Sequence, residues 1–193
     1  MARIKEFDYN EKLEEARNLF WEKGYNVTSM NDIVERLQLN RSSIYATFGN
    51  KRDLFIECLQ NYAKLKTAQY IAASNQVAQT PFDKLSKMVH SIILQTIKDN
   101  KTCLIVRSIS ELSSSDREIK NLIIQNGVVL HNLLNELIDK SKESGELKKD
   151  LSTPTLSNFI LSSFSGIYEH YLLSKNIQEV KDMINLMLSS FRA

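Results

Sequence analysis

The sequence predicts an all-α chain of about nine helices, and three observations predict it. Glycine and proline are scarce, 5 and 2 in 193 residues, which leaves few turns and few strand breaks. Apolar residues recur at i, i+3, i+4 and i+7 over long stretches, and a helix-capping signal precedes nearly every stretch. A hydrophobic content of 42% is enough for a core, in one domain or in a small domain joined to a larger one.

The first helix covers about Asp8 to Lys23, with Tyr9, Leu13, Ala16 and Phe20 along one side and Gly24 as its stop. Ser29 caps the second, Asp32 completes the capping box, and Met30, Ile33, Val34 and Leu37 share a face. After a short break Asn40 caps the third, in which Ile44 and Phe48 point inward while Arg41, Ser42 and Tyr45 share the outer face. Two short capped helices around a tight turn are the sequence form of a helix-turn-helix, and the outer residues of the second are those a DNA groove would meet. Gly49 stops that helix, and a capping box of Asn50 with Asp53 places Lys51 and Arg52 in the first turn of a long helix running toward Ala73. Basic side chains there oppose the helix dipole, which predicts a compensating negative group. Leu54, Phe55, Cys58, Leu59 and Tyr62 form its buried side.

Thr80-Pro81-Phe82-Asp83 opens a fifth helix carrying Leu85, Val89, Ile92, Ile93 and Thr96, and a short segment follows from about Thr102 to Leu112. Ser115 to Glu118 reads as a capping box for a long helix that ends at Gly145, with Ile119, Leu122, Ile123, Leu130, Leu133, Leu134, Leu137 and Ile138 as its stripe. Thr153-Pro154 caps a helix bearing Leu156, Phe159, Ile160, Phe164, Ile167 and Tyr171, and a last helix bears Val180, Ile184, Met187, Leu188 and Phe191. Gly127 inside the long helix costs about 1 kcal/mol relative to Ala, which points to close helix packing or a bend.

The net charge of +2 says little, but no acidic residue occurs from Arg36 through Arg52. Coinciding with the helix-turn-helix, that gap reads as a phosphate-facing side. Two distant cysteines form no disulfide framework, and no Cys or His pair has zinc-ligand spacing, so a reducing cytoplasm fits and no metal is expected. An apolar targeting core and an uninterrupted apolar run of about 18 residues are both lacking, which predicts neither export nor a membrane span. His90, His131 and His170 do not cluster, and no Ser-His-Asp order, HExxH, P-loop or paired catalytic carboxylates can be assembled. No catalytic residue and no cofactor are expected, leaving a helical enzyme or adaptor with a vestigial motif as the remote alternative.

The pattern Phe20, Gly24-Tyr25, Thr28-Ser29, Asp32-Ile33, Ser43-Ile44-Tyr45, Phe48, Lys51 and Leu54 resembles the TetR family of bacterial transcriptional repressors. The match lies in the first third of the chain and implies a helix-turn-helix DNA-binding domain over residues 6–66, with its motif at about 29–48, followed by an effector-binding and dimerisation domain over 67–193. It also implies the nine-helix plan reached above from capping and periodicity. One departure is Gln38, where many relatives have Gly. Gln there requires a left-handed backbone or a different turn.

Arg41 at the start of the second motif helix is placed to reach O6 and N7 of a guanine, with Ser42 and Tyr45 beside it. The resemblance implies phosphate contacts for Thr28, Ser29, Tyr45 and Lys51, and DNA contacts for Asn31, Ser43 and Thr47. It implies a homodimer on a palindromic operator, joined through the last two helices, for which Ser163, Phe164, Ile167, Ile184, Met187 and Leu188 are the candidates. It implies a small-molecule effector among the middle helices, for which Tyr70, Met88, Ile92, Cys103, Phe159 and Tyr168 are the candidates. Cys103 lies in a segment similar to one by which some relatives sense oxidants or electrophiles, so a thiol-switched repressor is the alternative to a pocket ligand.

Overall fold

The computed structural model describes residues 7–98, 103–112 and 116–193. Among them nine helices form: α1 (Tyr9–Lys23), α2 (Met30–Leu37), α3 (Arg41–Phe48), α4 (Lys51–Ser74), α5 (Pro81–Lys98), α6 (Leu104–Leu112), α7 (Arg117–Glu143), α8 (Thr153–Ser174) and α9 (Ile177–Ser189). One isolated antiparallel bridge pairs Leu147 with Arg192. The fold is all-α.

The caps explain most of the boundaries. Asp8 accepts from the backbone N–H of Asn10 and Glu11 to open α1, and Ser29 with Asp32 forms the expected box on α2. Asn40 accepts from the N–H of Ser43 to open α3, and Gly49, at φ 75°, closes it. Two caps differ from expectation. The Ser115 end of the box proposed for α7 lies outside the described residues, and Asp116 accepts from the N–H of Glu118 and Ile119 instead. At α8 the cap is Ser152, because the Thr153 hydroxyl is turned to α7, where it meets Asp139 and the Lys142 ammonium.

The helices form two compact units. One contains α1, α2, α3 and α4 through Leu65, together with Cys103–Ile124, which brings in α6 and the start of α7. The other runs from Lys66 of α4 through α5, and from Gln125 of α7 to the end of α9. The single cut expected near residue 66 thus omits the return of α6 to the first unit. Its physical cause is the apolar face of α6, where Leu104 and Leu112 join Ile119 of α7 in the cluster built by α1–α4.

The first core gathers Leu13, Ala16, Leu19 and Phe20 of α1 with Ile33 and Leu37 of α2, Ile44 and Phe48 of α3, and Leu54, Phe55, Cys58 and Leu59 of α4. Phe20 meets Phe55 edge-on at 5.0 Å between centroids. Burying each such side chain contributes about 1.5–3 kcal/mol, which fixes α2 and α3 against their braces. In the second core α5 contributes Leu85, Met88, Val89 and Ile93, α7 contributes Leu134 and Ile138, and α8 packs on α9 through Ile160, Ile167, Val180, Ile184 and Leu188.

Candidate nucleic-acid interface

The α2–α3 pair is held from behind by three devices. Gln38 closes α2 with a left-handed backbone, φ 52° and ψ 36°, and its amide donates to the Glu35 carbonyl at 2.6 Å. The turn therefore keeps the geometry that glycine adopts most easily, without the glycine. Thr28 is only 1% exposed, and its hydroxyl donates to the Gly24 carbonyl at 2.6 Å. Lys51 reaches back from α4, its ammonium donating to the carbonyls of Tyr25 and Thr28 at 2.8 and 2.7 Å and lying 4.3 Å from the centre of the Tyr25 ring. Partial burial lowers its pKa.

Two residues expected at phosphates are thus engaged inside the unit. Thr28 faces the interior. Lys51 closes the α1–α2 loop, with two of its three donors satisfied inside the unit. The rest of the basic run is likewise accounted for at home. Arg36 pairs with Glu22 at 2.6 Å, and Arg52 makes a two-pronged contact with Asp116 at 2.8 and 3.0 Å and a further one with Glu118 at 2.8 Å. The negative group that the first turn of α4 demanded is thus Asp116 with Glu118. Arg52 in turn holds the Asp116 carboxyl down, from the ordinary 3.8 to about 2.

Arg41 is different. Among the described residues it rests on a neutral partner, Nη2 donating to Oδ1 of Asn31 at 2.5 Å, which brings together two residues expected at DNA. Arg41, Ser42 and Tyr45 are exposed on one face of α3, Tyr45 at 47%, while Ile44 and Phe48 are buried on the other. Ser42 donates to the Asn40 side chain at 2.7 Å, and Ser29 is exposed at the head of α2, bonded to Asp32. Ser43 and Thr47 are half-buried at the flanks of the face. Ala46 also stands exposed there. Its position one residue after Tyr45 was signal enough, and a methyl is suited to the thymine C5-methyl.

The family model for bacterial regulatory proteins of the tetR family matches residues 13–58, and the model for the C-terminal region of YsiA-like proteins matches 62–189. The chain belongs to the TetR family. It is a DNA-binding transcriptional regulator of the helix-turn-helix type. It is 27% identical over 193 residues to the uncharacterized HTH-type transcriptional regulator YezE of Bacillus subtilis, covering 98% of each chain. It is 26% identical to the HTH-type transcriptional repressor ComR of Escherichia coli, covering 86% of this chain and 80% of that one. Its fold matches that of the TetR family regulator CifR, a cysteine mutant complexed with 26-base-pair operator DNA, with a TM-score of 0.77 at 18% identity over 98% of this chain and 100% of that one.

For a TetR family member the second unit is the place to look for an effector, and it holds a cavity of about 310 Å³ between α4 and α5. Tyr70 and Ile92, two of the effector candidates, line it. The other four candidates fall elsewhere. Met88 and Tyr168 are consumed by the apolar core, Phe159 is exposed against the edge of Phe191, and Cys103 is half-buried on the core of the first unit. The sequence reading missed Lys66, Gln69, Ser91 and Gln95 in the cavity wall. The signal was present in Lys66, a cation on the buried stripe of α4 between Tyr62 and Tyr70.

The dimer candidates are also redistributed. Ile184 is fully buried, and Ile167, Met187 and Leu188 are buried with it in the core of the chain itself, while Ser163 and Phe164 are half-buried. A partner helix cannot reach Ile184 without opening that core. The outward stripe of α8 instead carries Phe159, Ser162, Gly166 and Leu173, and α9 exposes Leu186.

Proposed function

We propose that the protein is a repressor that binds a palindromic operator as a homodimer and is released by a small molecule held in the second unit. The observation that carries the reading is the face of α3, where Arg41, Ser42 and Tyr45 stand exposed over a helix anchored by Ile44 and Phe48. A helix so anchored presents its N-terminal side chains to a major groove with a fixed orientation. The repressor ComR and the operator-bound CifR support the same assignment for this chain.

In this account residues 6–66, with the motif at 29–48, form the DNA-binding domain and 67–193 the effector and dimerisation domain, α6 returning to the first. Dimerisation is assigned to α8 and α9 through Phe159, Leu173 and Leu186, whose exposure leaves an apolar surface to be covered. No helix among the described residues is long and apolar enough to cross a membrane, and action in the cytoplasm is part of the proposal. A pocket ligand is favoured over a thiol switch. Cys103, the residue on which a thiol switch would depend, is half-buried against the core of the first unit, apart from the cavity.

Selection of duplexes from a random library by the purified protein tests the proposal. The enriched sequence is expected to be a palindrome whose half-sites lie about one helical turn apart, roughly 34 Å. A single asymmetric site bound by one chain would contradict the dimeric reading.

A further inference from the structure

Asn31 and Arg41 join the two helices of the motif at their starts. Arg41 is the first residue of α3 and Asn31 the second of α2, both are exposed, and Nη2 of Arg41 donates to Oδ1 of Asn31 at 2.5 Å. Each end of this bond rises from a fixed backbone. Asn31 lies inside the capping box, where the Ser29 N–H donates to the Asp32 carboxylate at 2.8 Å and the Asp32 N–H to the Ser29 hydroxyl at 3.1 Å. The Lys23 ammonium holds the other Asp32 oxygen at 2.6 Å. Arg41 follows the Asn40 cap, which accepts from the Ser43 N–H at 2.8 Å, and the buried Ile33 and Ile44 anchor the two helices from behind.

The chemistry of the pair is one-sided. Arginine only donates, so the amide oxygen has to face it, and the Asn31 Nδ2 is left as a donor. Asn31 engages one N–H of the guanidinium fork and leaves the others to meet two acceptors in a groove. An amide also brings a dipole and no net charge, in contrast to the carboxylates that hold Arg36 and Arg52, so the bond orients Arg41 without neutralising it. An arginine side chain loses rotamer freedom when it docks, and one already held in a single arrangement loses less.

We infer that Asn31 is a specificity-determining residue of the motif, a positioning residue that holds the Arg41 guanidinium for O6 and N7 of a guanine. The inference rests on the reading of α3 as the DNA-reading helix, and it adds a residue outside that helix to the reading of one base. Adenine presents an N–H donor where guanine presents O6. A guanidinium fixed in place meets that donor as a mismatch, whereas a free one swings to another acceptor or to a phosphate. Loss of Asn31 is therefore expected to reduce discrimination more than affinity.

The experiment is a double-mutant cycle of Asn31→Ala and Arg41→Ala, read by fluorescence anisotropy on the selected operator and on duplexes in which each base pair of a half-site is changed in turn. The position at which Arg41→Ala relaxes the preference identifies the base that Arg41 reads, where the wild type is expected to favour guanine about five- to hundredfold. Asn31→Ala is expected to reduce the preference at that same position about three- to tenfold, and to change it by less than about twofold when Arg41 is already alanine. Alanine is well tolerated at an exposed helical position, and helicity and melting temperature are compared throughout. Asn31→Asp keeps an acceptor for Arg41 and adds a negative charge, so it is expected to retain the guanine preference while weakening all duplexes alike. An Asn31→Ala effect of the same size with and without Arg41 overturns the inference and leaves Arg41 as the reader. Uniform weakening by Asn31→Ala at unchanged preference overturns it as well, as does loss of the preference in Asn31→Asp, which would assign the effect to the Nδ2 donor. Full affinity and full preference in Arg41→Ala overturn the reading of α3 itself, and the inference with it.

Discussion

At the residue scale the decisive distinction is between side chains that face a groove and those that hold the facing ones in place. Arg41 and Tyr45 are exposed on the outer face of α3 and are proposed to be of the first kind, whereas Lys51 holds the α1–α2 loop. Lys51→Ala removes two charged-donor hydrogen bonds and a ring contact from the α1–α2 loop, and is expected to lower stability by about 2 kcal/mol, read from the urea midpoint. Well below the unfolding temperature its operator binding is expected to keep the wild-type salt slope, whereas loss of a phosphate contact would reduce that slope by about one unit. The capping residues were legible because a cap acts within three residues of itself. The destination of Lys51 was not, because its partners lie 23 and 26 residues away and become neighbours only once α4 packs on α1. The inward turn of Thr28 was illegible for the same reason: a hydroxyl four residues from Gly24 bonds inward or outward according to how the loop folds.

At the scale of the element, the turn between α2 and α3 carries a local conflict. Gln38 occupies a left-handed conformation that costs an L-residue roughly 1–2 kcal/mol, of which a glycine recovers only part because it loses more chain entropy on folding. Gln38→Gly is expected to raise stability by about 0.5–1 kcal/mol and the melting temperature by about 1–4 °C, with operator affinity unchanged. A lower melting temperature would mean that the Gln38 hydrogen bond to Glu35 outweighs the backbone strain. The start of α7 is tied to α4 by the contact of Arg52 with Asp116, and this makes a pH dependence. The Asp116 carboxyl titrates near 2 in the folded chain and at the ordinary 3.8 when free, so the unfolded chain binds more protons in between. The stability contributed by the pair is fully present above about pH 4 and is lost as the pH falls toward 2. Urea unfolding at a series of pH values should show Asp116→Asn less stable than wild type at pH 6, with the difference shrinking through that window. A constant difference would remove the ion pair from the explanation.

At the scale of the whole molecule, the nine helices of the described residues and their order were legible because periodicity and caps are properties of contiguous sequence. Which apolar residues close the core and which stay exposed was not, since both are written in the same leucines and isoleucines. Ile184 and Leu186 are two positions apart on α9, yet the first is fully buried and the second 72% exposed. Leu173, 89% exposed, belongs with Leu186. Leu173→Asp combined with Leu186→Asp is expected to give helical monomers of 22.2 kDa in sedimentation, while Ile184→Asp unfolds the second unit because it places an unpaired carboxylate in a closed core. A dimer persisting in the double variant would place the interface elsewhere. The central claim, that the outward face of α3 reads DNA, is tested most directly by fluorescence anisotropy on the selected operator with Arg41→Ala and Tyr45→Ala. Arg41→Ala is expected to cost about 1–3 kcal/mol of binding and to relax preference at one base position, and Tyr45→Ala to weaken binding, both with wild-type helicity and oligomeric state. Full operator affinity in both variants would contradict the account.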